Sequence, residues 1–348
     1  MSKSVKSILI TGLVLIAAGI YFLVQSKPAV APTLPSIKHE LPTTTIFFGG
    51  DIMLSRNVAA KIYEAQDYSL PFRQIHDDVA LADIAFANLE SPFNNIGDHS
   101  VEGSLVFNAD PKNAEGLKYA GFDILSTANN HALDQGQKGL DYTIDLLTAN
   151  NILSTGTIHS TAQMQSPIIQ SKNILYGFLS YSYTAYNDGG QSTSPYIRNS
   201  NNLTQLKQDI LDMRGHTADV VIVNMHAGTE YTRTPTDAQI AFAHAAIDAG
   251  ADLVIGEHPH WIQTTEQYKG KWIFYSLGNL VFDQMWSQET REGLTLLVTY
   301  QEQTIQKIEL KPVIIENFCC PRFANQEETK TILKKINLTS PILFSTIR

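Results

Sequence analysis

Short apolar runs alternate with helical periodicity along most of the chain, and each run ends in polar or ionisable residues. Thr43–Phe48 is β-branched and aromatic and ends in Gly49-Gly50-Asp51. Ile84–Ala87 leads to Asn88-Leu89-Glu90, and Ile124–Ser126 leads to Thr127-Ala128-Asn129-Asn130-His131. Val220–Val223 leads to Asn224-Met225-His226, and Leu253–Ile255 leads to Gly256-Glu257-His258-Pro259-His260. Brief apolar runs of this kind predict buried strands. Between them, Asp237–Ala249 predicts a helix, with Thr236 and Gln239 in a capping-box pattern and Gly250 just past its end. His244 falls on the apolar face of that helix and reads as a packed core residue rather than a ligand. Gly139–Ala149 predicts a second helix, Leu294–Tyr300 and Thr304–Leu310 a hairpin, and Gln326–Ile336 a last helix.

The N-terminus departs from this alternation. Lys3 and Lys6 precede an uncharged run of 17 residues from Ile8 to Val24, at the short end for a membrane span. The lysines place its N-terminus in the cytoplasm. A cleaved signal is the competing reading, because Ala29-Val30-Ala31 has a small-x-small pattern. Pro32 just after that point favours an uncleaved anchor. Pro28, Pro32, Pro35 and Pro42 mark residues 26–42 as an extended linker. This division gives an anchor at 1–25, a linker at 26–42, a domain at 43–315 outside the cytoplasm, and a C-terminal tail at 316–348.

Composition adds two constraints. Of the 348 residues, 43 % are hydrophobic and 17 % charged, which is ample for a core. The net charge of −9 argues against nucleic acid as the main partner. The only cysteines are the neighbours Cys319 and Cys320. Adjacent cysteines close a strained ring, so they read as small buried thiols rather than a disulfide, with a two-cysteine metal site as the alternative.

Five strand ends carry Asp51, Glu90, Asn130 with His131, His226, and His258 with His260. Parallel strands deliver such ends to one sheet edge. Carboxylates, imidazoles and an amide oxygen suit one or two divalent ions of Mn, Fe or Zn. Pro259 stiffens the turn between the last two histidines.

The segments GGDIMLSR, ANLESP, TANNHALDQG, VNMHAGTEY, GEHPHWIQ and FYSLGNLVFDQ, in this order, resemble the CapA family of capsule and poly-γ-glutamate synthesis proteins. That family is related to the calcineurin-like metallophosphoesterases. The resemblance implies an α/β fold, a metallophosphoesterase-like sandwich of two β-sheets flanked by helices, carried here behind an N-terminal transmembrane helix. It implies Asp51 and His260 as ligands of a first metal, Glu90 as the bridging carboxylate, and Asn130, His226 and His258 as ligands of a second. His131 matches the histidine that protonates or orients a leaving group. The superfamily has a histidine where Met53 stands, so the first metal loses a ligand, and the longer Glu90 replaces an aspartate.

Three further residues have two readings each. Asp134 either orients His131 or caps the helix that follows it. Arg56 either meets an anionic substrate group or forms a surface ion pair. Glu230 follows His226 by four residues and reads as a supporting acceptor. Ser276, Gly278, Asn279 and Asp283 read as shaping a turn near the site.

The resemblance implies a single-pass protein of the cell membrane whose partners are an anionic polymer or its precursor and other membrane subunits of a polymer synthase. Its chemistry would be metal-assisted hydrolysis or transfer at a phosphoester or amide. The alternative is a non-catalytic scaffold or polymer-binding subunit with a partly degraded metal site, the reading that Met53 favours.

Overall fold

Alternation within the strands sets the layering. In β1 (Thr43–Ile52), Ile46 and Phe48 enter one core and Phe47 another. The computed structural model describes residues 41–162, 166–184, 186–187, 193–215, 218–338 and 340–344. The apolar N-terminal run and its spacer lie almost wholly outside them. Among the described residues no helix is long and apolar enough to cross a membrane.

From β1 the first sheet runs in parallel through β2 (Ile84–Leu89), β3 (Ile124–Ser126) and β4 (Leu153–Thr155). The second sheet holds β5 (Ile168–Ser171), β6 (Ile174–Ser182), β7 (Val220–His226), β8 (Leu253–Glu257), β9 (Thr265–Tyr268) and β10 (Lys271–Phe274). Its order is β5-β6-β7-β8-β10-β9, with β6, β7, β8 and β10 parallel. The chain then returns to the first sheet. β11 (Asn279–Val281) pairs with the end of β1, and β12 (Glu292–Gln301) and β13 (Thr304–Glu316) form the long hairpin beside it. β14 (Cys320–Phe323) and β15 (Ile342–Phe344) pair with β13. The crossing of β11 over β1 requires glycine, because a Cβ on Gly50 would lie 1.9 Å from the Gly278 carbonyl oxygen.

The sheets pack face to face over Ile46, Phe48, Ile84, Phe86 and Ile124 from one and Phe178, Val220, Ile222, Leu253 and Ile255 from the other. Helices Arg56–Ala65 and Ala114–Ala120 cover the outer face of the first sheet. Helices Leu203–Gly215 and Asp237–Ala249 cover the second. Central strands are therefore buried on both faces, which explains their unbroken apolar runs. The capping box forms as the pattern indicates, with both the Thr236 and Gln239 bonds made, and Gly250 closes the helix at φ 114°. His244 is half-buried, stacked on Tyr268 at 3.8 Å and bonded to Glu266, at the margin of the core rather than inside it.

The stretch beyond residue 316, set apart above as a tail, joins the fold. β14 extends the first sheet, and Ile332, Leu333 and Ile336 of the last helix and the turn after it are buried in the inter-sheet core. Cys319 and Cys320 are joined to each other, which corrects the expectation of two free thiols. That expectation weighed only the cost of closing the ring. Asn317 at φ 51° and Phe318 at φ 66° bend the chain just before the pair, and both cysteines pack beside Val313 and Ile315.

Candidate metal centre

The parallel strands β1, β2, β3, β7 and β8 end at one edge of the sandwich, so the polar residues that terminate their apolar runs meet there. Asp51 lies within β1, His226 closes β7, and Glu257 closes β8. Glu90 and Asn130 with His131 follow β2 and β3. Two groups result whose ligand atoms all lie within 4.8 Å of one another: Glu90, His226 and His258, and Asp51, Glu90 and His260. Glu90 belongs to both.

Asn130 stands with the first of these groups. Its Oδ1 is 2.8 Å from His226 Nε2, which is itself 3.2 Å from His258 Nδ1. In the other group His260 Nδ1 is 3.3 Å from Asp51 Oδ2. The six residues proposed as ligands from the sequence thus converge in one buried cluster. The His258-Pro259-His260 turn is strained, with His258 at φ 97° and His260 at φ 56°, values a side chain seldom adopts. Strain of this kind, about 1–3 kcal/mol per residue, persists where surrounding structure enforces it and is concentrated at functional sites.

The donor set fits a cation. Glu90 is fully buried, and among the described residues neither of its oxygens meets an N–H or O–H donor, the acid beside it, Asp51, being another carboxyl group. The His131, His226 and His260 Nε2 atoms stand 3.9, 3.9 and 3.7 Å from its Oε1, too far to hydrogen-bond. An orphaned carboxylate in the interior is costly unless a cation is shared with it. Burial, then the charges of Asp51 and Glu230, raise the Glu90 carboxyl well above the usual carboxylate range. Burial, reinforced by neighbouring imidazoles, holds His226 and His258 well below the usual histidine range, leaving them neutral with lone pairs to offer.

His131 is held from two sides. Its Nδ1 is 2.7 Å from Asp134 Oδ2, and its ring stacks on Phe107 at 3.9 Å. Asp134 also accepts from the Phe107 backbone N–H at 2.6 Å. Of its two sequence readings, Asp134 orients the imidazole; the N-cap of the helix Gly136–Ala149 is Gln135. Arg56 pairs with Asp283, and at 10 % and 4 % exposure the two form no surface ion pair. Its guanidinium is committed to that partner and to the Ser104 carbonyl rather than to open solvent. Met53 is buried in the helix-side core, its sulfur accepting from Ser55 Oγ at 3.0 Å. Glu230 lies close enough to Glu90 to oppose its ionisation, and Asn279 Oδ1 pairs with His260 Nδ1 at 2.9 Å.

Sequence reasoning assigned no role to several polar residues. Asn88 donates to Asp51 at 2.8 Å and lies 3.2 Å from His226 Nδ1. Asn129 donates to the Leu89 carbonyl at 2.8 Å and takes the His131 N–H at 3.1 Å. Glu257 is fully buried, bonded to Asn224, and raised well above the usual carboxylate range by burial and then by Asp51. Asn88, Asn129 and Glu257 sit inside the recognisable segments. Their signal was a polar residue at a position where alternation requires burial.

The chain is 33 % identical over 286 residues to the capsule biosynthesis protein CapA of Bacillus anthracis, covering 80 % of this chain and 67 % of that one. It is 28 % identical over 300 residues to the PGA biosynthesis protein CapA of Bacillus subtilis strain 168, covering 84 % and 77 %. Its fold matches a solved phosphatase from Mycoplasma pneumoniae with a TM-score of 0.51 at 15 % identity, over 85 % of this chain and all of that one. The two-sheet α/β architecture is thus a fold shared with that phosphatase. The profile of bacterial capsule synthesis protein PGA_cap matches residues 45–284, a span that contains every residue of the centre, and the chain belongs to that family.

Proposed function

We propose that the chain is a membrane-tethered, extracytoplasmic component of capsule or poly-γ-glutamate biosynthesis that carries out divalent-metal-assisted hydrolysis or transfer on an anionic polymer or its precursor. The names of its relatives supply the polymer class. The observation that carries the chemistry is Glu90, buried and unpartnered where two ligand groups meet. A centre that had lost its ion would have little physical reason to retain that carboxylate.

Asn130, His226 and His258 with Glu90 would hold one ion, and Asp51 and His260 with Glu90 the other. Nitrogen and oxygen donors in this mixture suit Mn, Fe or Zn. When bound, the ion supplies Lewis-acid polarisation of a phosphoryl or carbonyl oxygen. His131, its Nδ1 turned to Asp134, presents Nε2 towards Glu90 and the interior of the centre. It is thereby placed to give a proton to a leaving group.

The apolar run Ile8–Val24 would act as the tether. The linker that follows, residues 26–42, would reach on the order of 50 Å if extended at ~3.1 Å per residue. That length lets the domain work beside other membrane subunits of a polymer synthase.

The test is elemental analysis of the purified protein, joined to turnover of phosphoester and γ-glutamyl amide substrates. We expect bound divalent metal, and turnover that falls about 100-fold or more in His131→Gln while metal content stays unchanged. The second reading, a scaffold that binds polymer without chemistry, is favoured by Met53, a buried thioether where the superfamily has a histidine. Tightly bound metal without turnover of either substrate class would select it.

A further inference from the structure

We propose that Arg56 is a positioning residue for both sides of the centre, capping the Phe107–Phe282 pair so that the ring planes of His131 and His260 are fixed together; this rests on the metal-centre reading above. Four rings form a continuous chain. His131 stacks on Phe107 at 3.9 Å and 18°, Phe107 meets Phe282 edge to face at 6.2 Å, and Phe282 packs on His260 at 4.8 Å. The Arg56 guanidinium carbon lies over both phenyl rings, 5.0 Å from Phe107 and 5.6 Å from Phe282. Both distances fall within cation–π range.

The contacts around Arg56 go beyond those of a simple ion pair. Asp283, next to Phe282 in sequence, takes Nε at 3.2 Å as well as the closer terminal nitrogen. Arg56 NH1 donates to the Ser104 carbonyl at 3.1 Å, and the Arg56 backbone N–H donates to Ser100 at 3.0 Å. These bonds fasten the loop that carries Phe107. Arg56 itself adopts φ 50°, a costly conformation for arginine. A planar, delocalised cation suits this place, because it lies flat on rings while its edge bonds a carboxylate and a carbonyl. Lysine would keep the charge and lose the fit. Any substrate anion that approaches the centre therefore meets an arginine already committed. Arg56 acts through the two histidines.

The test uses full-length protein in detergent micelles with 13C-labelled histidine, first without metal. His131→Gln and His260→Gln assign the two ring-shifted imidazole signals. We expect Arg56→Ala to move both signals towards unstacked positions. We also expect it to lower Zn2+ affinity at the Asp51–His260 position about 10- to 100-fold, the usual cost of losing a residue that orients a ligand. Arg56→Lys should restore thermal stability through the ion pair without restoring the signals. Phe282→Leu, a milder change should the alanine variant fail to fold, should move the His260 signal alone. Unmoved signals with unaltered Zn2+ affinity in Arg56→Ala would overturn the proposal. So would a stability loss that leaves both signals in place, since that is all a loop anchor would produce. If the unaltered protein takes up no Zn2+, the metal reading fails, and the imidazole signals still decide the role of Arg56.

Discussion

The two candidate ligand groups share Glu90 and differ in almost everything else. The one built from Asn130, His226 and His258 straddles the sandwich, drawing an amide from the first sheet and two imidazoles from the second. The other has Asp51 and His260, and the neighbouring Met53 is buried in a hydrocarbon core. The contrast shows what a side chain does when its chemistry suits packing better than ligation. A thioether is soft and apolar, so at the end of β1 it fills space beside Ile52 and Leu54 and takes a hydroxyl bond from Ser55. The surviving ligands are hard or borderline donors with no apolar alternative.

The strongest way to break this comparison is to remove what the positions share. Glu90→Gln should abolish tight binding at both, read by calorimetric titration with Mn2+ or Zn2+. The same variant makes a prediction about pH. Without metal, burial raises the Glu90 carboxyl, so the folded chain holds that proton more tightly than the unfolded chain. Stability is then greatest below the ordinary carboxylate range and falls as pH rises towards the raised value. Glutamine has no such dependence. The thermal stability of metal-free Glu90→Gln should therefore exceed that of the unaltered protein by a margin that widens with pH. A margin that shrinks would show that the carboxylate has a cationic partner in the metal-free protein.

Next in size is His258→Ala, which removes a ligand from one position only. Affinity there should drop by at least about 100-fold, with the Asp51–His260 position changed far less. Equal losses at both would mean that the two groups act as one site. Met53→His should have the smallest effect. It should raise bound metal towards two ions per chain at modest metal concentration, and cost about 1–3 kcal/mol of stability by placing a polar ring in a packed core. Two ions already held tightly by the unaltered protein would erase the distinction between the positions.

The strand ends were legible because a polar residue directly after a buried run is costly unless it has work to do. Asp51, Glu90, His226 and His258 stood out on that ground alone, and the order of the six segments identified the family. The weaker strands were not legible. β9 and β10 have four residues each, too few for alternation to signal their pairing. Nor could a pattern of single residues show that Asn88 would hold Asp51, since that bond joins neighbouring strands 37 residues apart.

By itself the sequence determined the buried central strands, the capped helix Asp237–Ala249 and the residue types of the centre, which follow from local periodicity and side-chain chemistry, while the α/β class rested on the family resemblance. Tertiary structure decided the rest. It chose Asp134 as the partner of His131 rather than a helix cap, bound Arg56 to Asp283 across 227 residues, set the Met53 sulfur against Ser55 and joined Cys319 to Cys320. Each of these depends on which surfaces meet when the sheets close. Orientation and partnership are properties of that closure, and a linear pattern constrains only which groups are available to take part in it.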